Sequence, residues 1–259
     1  MKIAFWSNVR GHSGVTSNLA CISVLSALSC PNERTIVFEN HKNIVNLGST
    51  YYHPQSAGCV REPMYYQTAS GLEKVLQLVE KGEELSEENL CGLTKDYLGK
   101  RLFYLPSEPV KSSDYLEYYL EREAVRTMEC LERLSDMVMV DTSAAPLASS
   151  RKILQQADLV VVNLNQNLPL LSHFFRNYSS IQEKAFYLIG NYDGKSELTK
   201  SAIMKRFHIP GAKIGTIPHD TGFSDAMSRG QLIPFLLKNY IRLNESLGAA
   251  YQDIGFLQQ

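Results

Sequence analysis

Arg10, Gly11, His12, Ser13, Gly14, Val15, Thr16 and Ser17 lie between an apolar run at residues 3–6 and an apolar helical stretch that opens at Val15. Glycines in a short turn between a strand and a helix let backbone N–H groups and the helix N-terminus converge on one anion. Phosphate-binding loops of this type end in Gly-Lys-Ser or Gly-Lys-Thr, with the lysine on the β- and γ-phosphates and the hydroxyl on magnesium. Here the ending is Gly14-Val15-Thr16. The hydroxyl is present and the ammonium is missing, so anion binding by the backbone is expected to outlast any phosphoryl chemistry.

Two further places bring polar groups to the ends of apolar runs. Glu39 and His41 follow the run at 35–38, and Asp141 follows the run at 137–140. Carboxylates at strand ends can hold a metal or orient water, but they also cap helices, and both readings stand for Asp141. Glu39 and His41 likewise read either as site residues or as the surface end of a strand. Asn191, after the run at 185–189, suits a turn with or without a ligand.

The elements that must carry these residues alternate along the chain. Strands are expected at 3–6, 35–38, 102–105, 137–140, 159–162, 185–189 and 213–217. Helices are expected at 15–29, 71–81, 86–95, 113–134, 147–156, 168–182, 198–207 and 234–247. Such alternation predicts an α/β fold, a doubly wound and mostly parallel sheet with helices on both faces. Runs such as Val160-Val161-Val162 are apolar throughout, as strands buried on both faces are. No composition break divides the 259 residues, so one domain over 1–259 is expected, with 48–68 as an irregular surface loop.

Composition narrows the function classes. A formal net charge of -1 gives no overall attraction to nucleic acid or anionic lipid. The five cysteines are scattered without a C-x-x-C pair, which argues against a zinc ribbon or a disulfide framework. The chain starts directly on a strand, and no apolar run approaches the roughly 18 residues that would span a bilayer. A cytoplasmic protein is expected. Lys195, Lys200, Lys205, Arg206 and Lys213 are too scattered to read as a DNA-binding patch.

In order and spacing, these segments resemble the deviant Walker A ATPases, the superfamily of ParA, MinD and the pilus-localisation ATPases of the TadZ/CpaE type. The signature K-G-G-x-G-K-[ST]-[ST] corresponds to Arg10 through Ser17. Glu39 and His41 fall on the D-x-D pair, and Met137 to Thr142 on the strand that ends in D-T-P. Gly215-Thr216-Ile217-Pro218-His219-Asp220, followed by Ala226 and Gly230, resembles the "IP-x-D … A-x-x-x-G" segment. The resemblance covers nearly the whole chain and implies a P-loop NTPase fold of the ParA/MinD kind.

The resemblance also implies roles. Gly11 to Ser17 would cradle ATP or ADP, with Thr16 and Asp141 serving Mg2+ and Asn191 and Pro218 near the nucleotide. Arg10 takes the place of the lysine that reaches across a nucleotide-sandwich dimer. His41 takes the place of the aspartate that positions the attacking water. Arg10, His41 and Asp141 are therefore the catalytic candidates, in a site whose losses predict slow or absent hydrolysis. The expected protein is a homodimeric switch or scaffold that positions a pilus, secretion or other cellular machine through a protein partner. A DNA-partitioning ATPase and a nucleotide-free interaction module are the alternatives. Residues 251–259 contain no lysine or arginine, so a MinD-like basic membrane anchor is not expected.

Overall fold

Strand propensity and two-sided burial build the sheet of the computed structural model, which describes residues 1–11, 13–51, 71–107 and 112–244. His12, most of the expected loop at 48–68, and the tail at 251–259 lie outside the described residues. Among the described residues, eight strands form one sheet: β1 Lys2–Trp6, β2 Thr35–Glu39, β3 Lys95–Tyr97, β4 Leu102–Tyr104, β5 Met137–Asp141, β6 Leu159–Leu164, β7 Ala185–Tyr192 and β8 Ile214–Pro218. Their order is β3-β4-β2-β5-β1-β6-β7-β8, parallel except for the antiparallel β3–β4 pair.

Alternate residues of each strand feed two different cores. Ala4, Trp6, Val138, Val140, Val160 and Val162 enter one cluster, while Ile3, Phe5, Met137, Met139, Leu159 and Val161 enter the other. The first is covered by α3 (Leu72–Glu80), α5 (Ser113–Glu132), α6 (Ala148–Gln156), α7 (Leu168–Asn177) and α9 (Lys200–Phe207). Between α3 and α5 in the chain lies the short α4 (Glu87–Leu93). The second core is covered by α1 (Val15–Ser29), α2 (Leu47–Tyr51), α10 (Thr221–Ser228) and α11 (Leu232–Asn244). Helices on both faces of a parallel sheet explain why these strands lack a polar side.

All seven expected strands are present. Where the structure departs from the sequence reading, local contacts give the reason. The expected helix at 168–182 breaks at Tyr178, which leaves helical geometry (φ -123°, ψ 47°) before the single turn α8, Ser179–Gln182. The Tyr178 ring stacks on Phe174 at 5.7 Å and meets Trp6 at 5.1 Å. Lys95, expected to end a helix, instead opens β3. Ser86 caps α4 through the amide of Asn89 (3.2 Å), and that helix stops at Leu93. The short helices α2 and α10 are additions to the sequence reading.

Candidate functional site

The site lies at the carboxyl ends of β2, β5 and β1, where the chain order changes direction across β1. Ligands of open parallel sheets bind at such a crevice. Between Trp6 and Val15 the chain makes its turn through Gly11 and Gly14, both at φ 71°. That left-handed conformation suits glycine because it has no Cβ to clash. Gly14 is the N-cap of α1 and offers no side chain to the helix amides. The amide of Ser13 is used within the turn, donating to the carbonyl of Gly11 at 2.8 Å. Among the described residues, the amides of Gly14, Val15, Thr16 and Ser17 have no partner. A helix start always leaves such donors to be met from outside, and together with the helix dipole they favour an anion.

In front of these amides is a pocket of about 780 Å³. Arg10, Gly11 and Ser13 to Ser17 form one wall, His41 and Lys42 a second, and Asp141 to Ala145 the floor, with Asp114 and Glu117 of α5 across from them. Val15 lines the pocket at the lysine position without adding charge. The two cations of the wall differ. Lys42 is committed to the buried Glu73 at 3.1 Å, which also accepts from the Ser107 hydroxyl at 2.7 Å. Arg10 is exposed and, among the described residues, has no ion-pair partner.

Asp141 is held in register between two strands, with its Cα opposite Phe5 on β1 and Glu39 on β2. It is 1% exposed. One carboxylate oxygen accepts the Thr16 hydroxyl at 2.6 Å, and the other faces His41 Nε2 at 3.3 Å. The first residues of α1 and the end of β5 are thereby tied together, and Thr16 Oγ1 is fixed at the pocket edge. Asn40, between Glu39 and His41, binds the loop after β5: its side-chain oxygen accepts the Ser143 amide at 2.6 Å and its NH2 reaches the Ser150 hydroxyl at 2.9 Å.

Glu39, the register partner of Asp141 on the neighbouring strand, faces the same side of the sheet and is 3% exposed. Its oxygens accept the amide of Leu47 and the hydroxyl of Tyr104, each at 2.9 Å. Burial pushes its pKa up to about 7; the His41 charge opposes this, and the Asp141 charge adds to it. For His41, burial alone would lower the pKa, but the hydrogen bond and charge of Asp141 outweigh it and hold the imidazolium above its ordinary range. Low dielectric makes each of these pairings stronger than it would be in water, and each omission more costly.

The remaining sequence candidates sit apart from this pocket. Asn191, in the left-handed region at φ 51°, is exposed at the end of β7 and pairs through Oδ1 with His219 Nδ1 at 2.6 Å. Pro218 ends β8 opposite Tyr192. Neither residue lines the pocket, which lies toward β2 and β5 rather than β7 and β8. Two buried amides missed by the sequence reading lock the far side of the loop. Asn18 of α1 donates to Asn163 of β6 at 2.7 Å, and Asn163 donates to the carbonyl of Trp6 at 3.2 Å. A Cβ on Gly190 would come within 2.6 Å of Asn18 Nδ2, so glycine is needed for α1 to approach β7. An asparagine inside the apolar run Val160-Val161-Val162-Asn163-Leu164 was the available signal, because buried amides need partners.

No protein-family model and no curated protein matches the chain. Solved structures do. The cell division ATPase MinD of Pyrococcus furiosus is similar over 99% of each chain at 15% identity, with a TM-score of 0.70. A ParA family ATPase from Chlorobium tepidum covers 92% of each chain at 15% identity, with a TM-score of 0.69. The septum site-determining protein MinD of Pyrococcus horikoshii, solved with Mg-ADP, is 15% identical over 88% of this chain and 85% of its own, with a TM-score of 0.64. The chain therefore has the fold of the ParA/MinD ATPases.

Proposed function

We propose that this chain of ParA/MinD fold is a nucleotide-binding switch or scaffold with very slow or absent ATP hydrolysis. One observation carries the reading: an uncapped helix start offers four free amides to a pocket whose rim holds Thr16, already oriented by buried Asp141. Those groups fit a polyphosphate. Gly14 to Ser17 would hold its oxygens, and Arg10 would add the cation that Val15 does not. Thr16 would face Mg2+, with Asp141 behind it; the ion, when bound, neutralises phosphate charge. Asn191 and Pro218, at the ends of β7 and β8, would flank the base.

The groups that would speed hydrolysis are the ones this chain lacks. Phosphoryl transfer depends on positioning and charge neutralisation. No ammonium stands at Val15, and His41 is drawn into Asp141 rather than free to orient water. A protein that binds nucleotide and hydrolyses it poorly is suited to hold a state. We therefore assign it a positioning role in the cytoplasm, as a homodimer that recruits a protein partner of a pilus or secretion machine in the TadZ/CpaE manner.

Titration with Mg-ATP, followed by melting temperature and by a fluorescent ATP analogue, tests the reading. Binding should raise the melting temperature as ligand exceeds Kd. Val15→Lys should tighten Mg-ATP binding by about tenfold, equivalent to a charge-assisted contact of about 1.4 kcal/mol, with turnover staying low because His41 is unchanged. No shift at millimolar nucleotide in either protein would overturn nucleotide binding and favour the interaction module. Rapid turnover by the natural chain, with DNA retarded in the ATP state, would instead identify a partitioning ATPase.

A further inference from the structure

We propose that Glu39, His41 and Asp141 form a site for a divalent first-row transition ion, filled without any nucleotide and separate from magnesium on Thr16. Each residue presents one ligand atom, and these atoms lie within 4.8 Å of one another. His41 Nε2 and Asp141 Oδ1 are already 3.3 Å apart. Two ligands about 2.0–2.1 Å from a tetrahedral zinc ion stand at about that separation from each other. With all ligand atoms within 4.8 Å of one another, the Glu39 oxygen would close in by about 1.5 Å at most at those bond lengths.

The backbone fixes the cluster. Glu39 and Asp141 are register partners on adjacent strands, and His41 follows two residues on. Glu39 and Asp141 are buried, and His41 is partly buried with its side chain 8% exposed. The Nδ1 atom of the imidazole is buried and, among the described residues, has no hydrogen-bond partner. On its other side, Nε2 faces the Asp141 carboxylate. Each of the four carboxylate oxygens keeps a free lone pair, because Leu47, Tyr104 and Thr16 occupy only one site on the oxygen each of them meets.

Charge and ligand type choose the ion. Two neighbouring buried carboxylates carry like charge in a low-dielectric site, and a divalent ion would neutralise both. An imidazole among the ligands favours Zn2+, Co2+ or Fe2+ over magnesium or calcium, which prefer oxygen alone. His41 lines the pocket and Glu39 does not, so an open coordination position would face the pocket.

The test uses the full chain, stripped with chelator and kept free of nucleotide. Zn2+ is titrated by calorimetry and Co2+ by visible absorption. Expected are one equivalent of either ion, Co2+ bands of a low-coordinate site, and binding weakened roughly tenfold or more in His41→Ala and in Glu39→Gln. Sub-stoichiometric uptake, or unchanged affinity in His41→Ala, would overturn the proposal by placing the ion elsewhere. Should His41→Ala fail to fold, His41→Asn serves the same comparison. In the Co2+-loaded natural chain, the His41 ring protons should also be shifted outside the normal proton range, and unshifted signals would equally count against the site. Mg-ATP binding by the stripped protein is read separately, so loss of one function leaves the other standing.

Discussion

Asp141→Ala will lower the unfolding free energy by about 4 kcal/mol and the melting temperature by roughly 8–16 °C, as expected when one member of a buried ion pair is removed from a domain of this size. The carboxylate is 1% exposed, and it is the partner of both the Thr16 hydroxyl and His41 Nε2. Truncation leaves the buried His41 ring without its closest charged partner and the Thr16 hydroxyl without its acceptor. Part of the loss is returned, because the Asp141 charge helps hold Glu39 protonated. Without Asp141, Glu39 ionises more readily and can face His41 itself. Asp141→Asn keeps an acceptor for Thr16 and should cost about half as much, close to the price of the charge alone. Urea unfolding of the three proteins at pH 7 measures this. A loss below about 1 kcal/mol for the alanine variant, the size expected of a surface pair, would mean that the cluster is not energetically coupled.

Stability of the chelator-treated protein will carry a component that falls as pH rises from about 4.5 to about 7, and Glu39→Gln will remove it. The sign follows from the proton. The folded chain holds it on Glu39 up to about 7, whereas an ordinary glutamate releases it near 4.5. Native protein thus binds more protons in that window, its advantage is complete below the window, and it is lost as pH climbs through it. A shift of that width is worth roughly 3–4 kcal/mol at about 1.4 kcal/mol per unit. His41, raised above 6.5 by Asp141, acts with the same sign in a window that begins higher. Glu132, lowered by its hydrogen bonds to Lys2 and the N-terminus, acts with the opposite sign. The quantity to compare is therefore the difference between natural chain and variant across pH 4.5–7. Parallel curves would show that burial does not hold a proton on Glu39.

Much of the scaffold was written in the chain because a doubly covered parallel sheet leaves a strong trace. Continuous apolar runs mark strands with no solvent side, and seven of them were readable. The strand β3 was not, since Lys95-Asp96-Tyr97 is short, polar and at the rim. The helix α10 had a readable start, with Asp220 accepting the Phe223 amide at 2.6 Å, but its eight residues give too few turns for a periodic signal. At the site, spacing pointed to the loop, Thr16 and Asp141. It could not reveal that Glu39 turns inward to Tyr104 and Leu47, nor that Lys42 is spent on Glu73. The Tyr104 and Glu73 pairings join residues far apart in the chain, and side-chain direction at a strand end is decided by which neighbours supply donors.

The rim strand bears on how copies of this chain could associate. It runs against its neighbour and is only three residues long. Its return turn places Leu98, Gly99 and Lys100 in the left-handed region, where Asp96 grips the Lys100 amide at 2.8 Å. A short border carrying Lys95 and Asp96 makes a poor template for a further strand. On that flank, copies are discouraged from zipping border to border into a continuous ribbon. Any pairing of copies through the sheet would then have to use the opposite border, where β8 is the last strand.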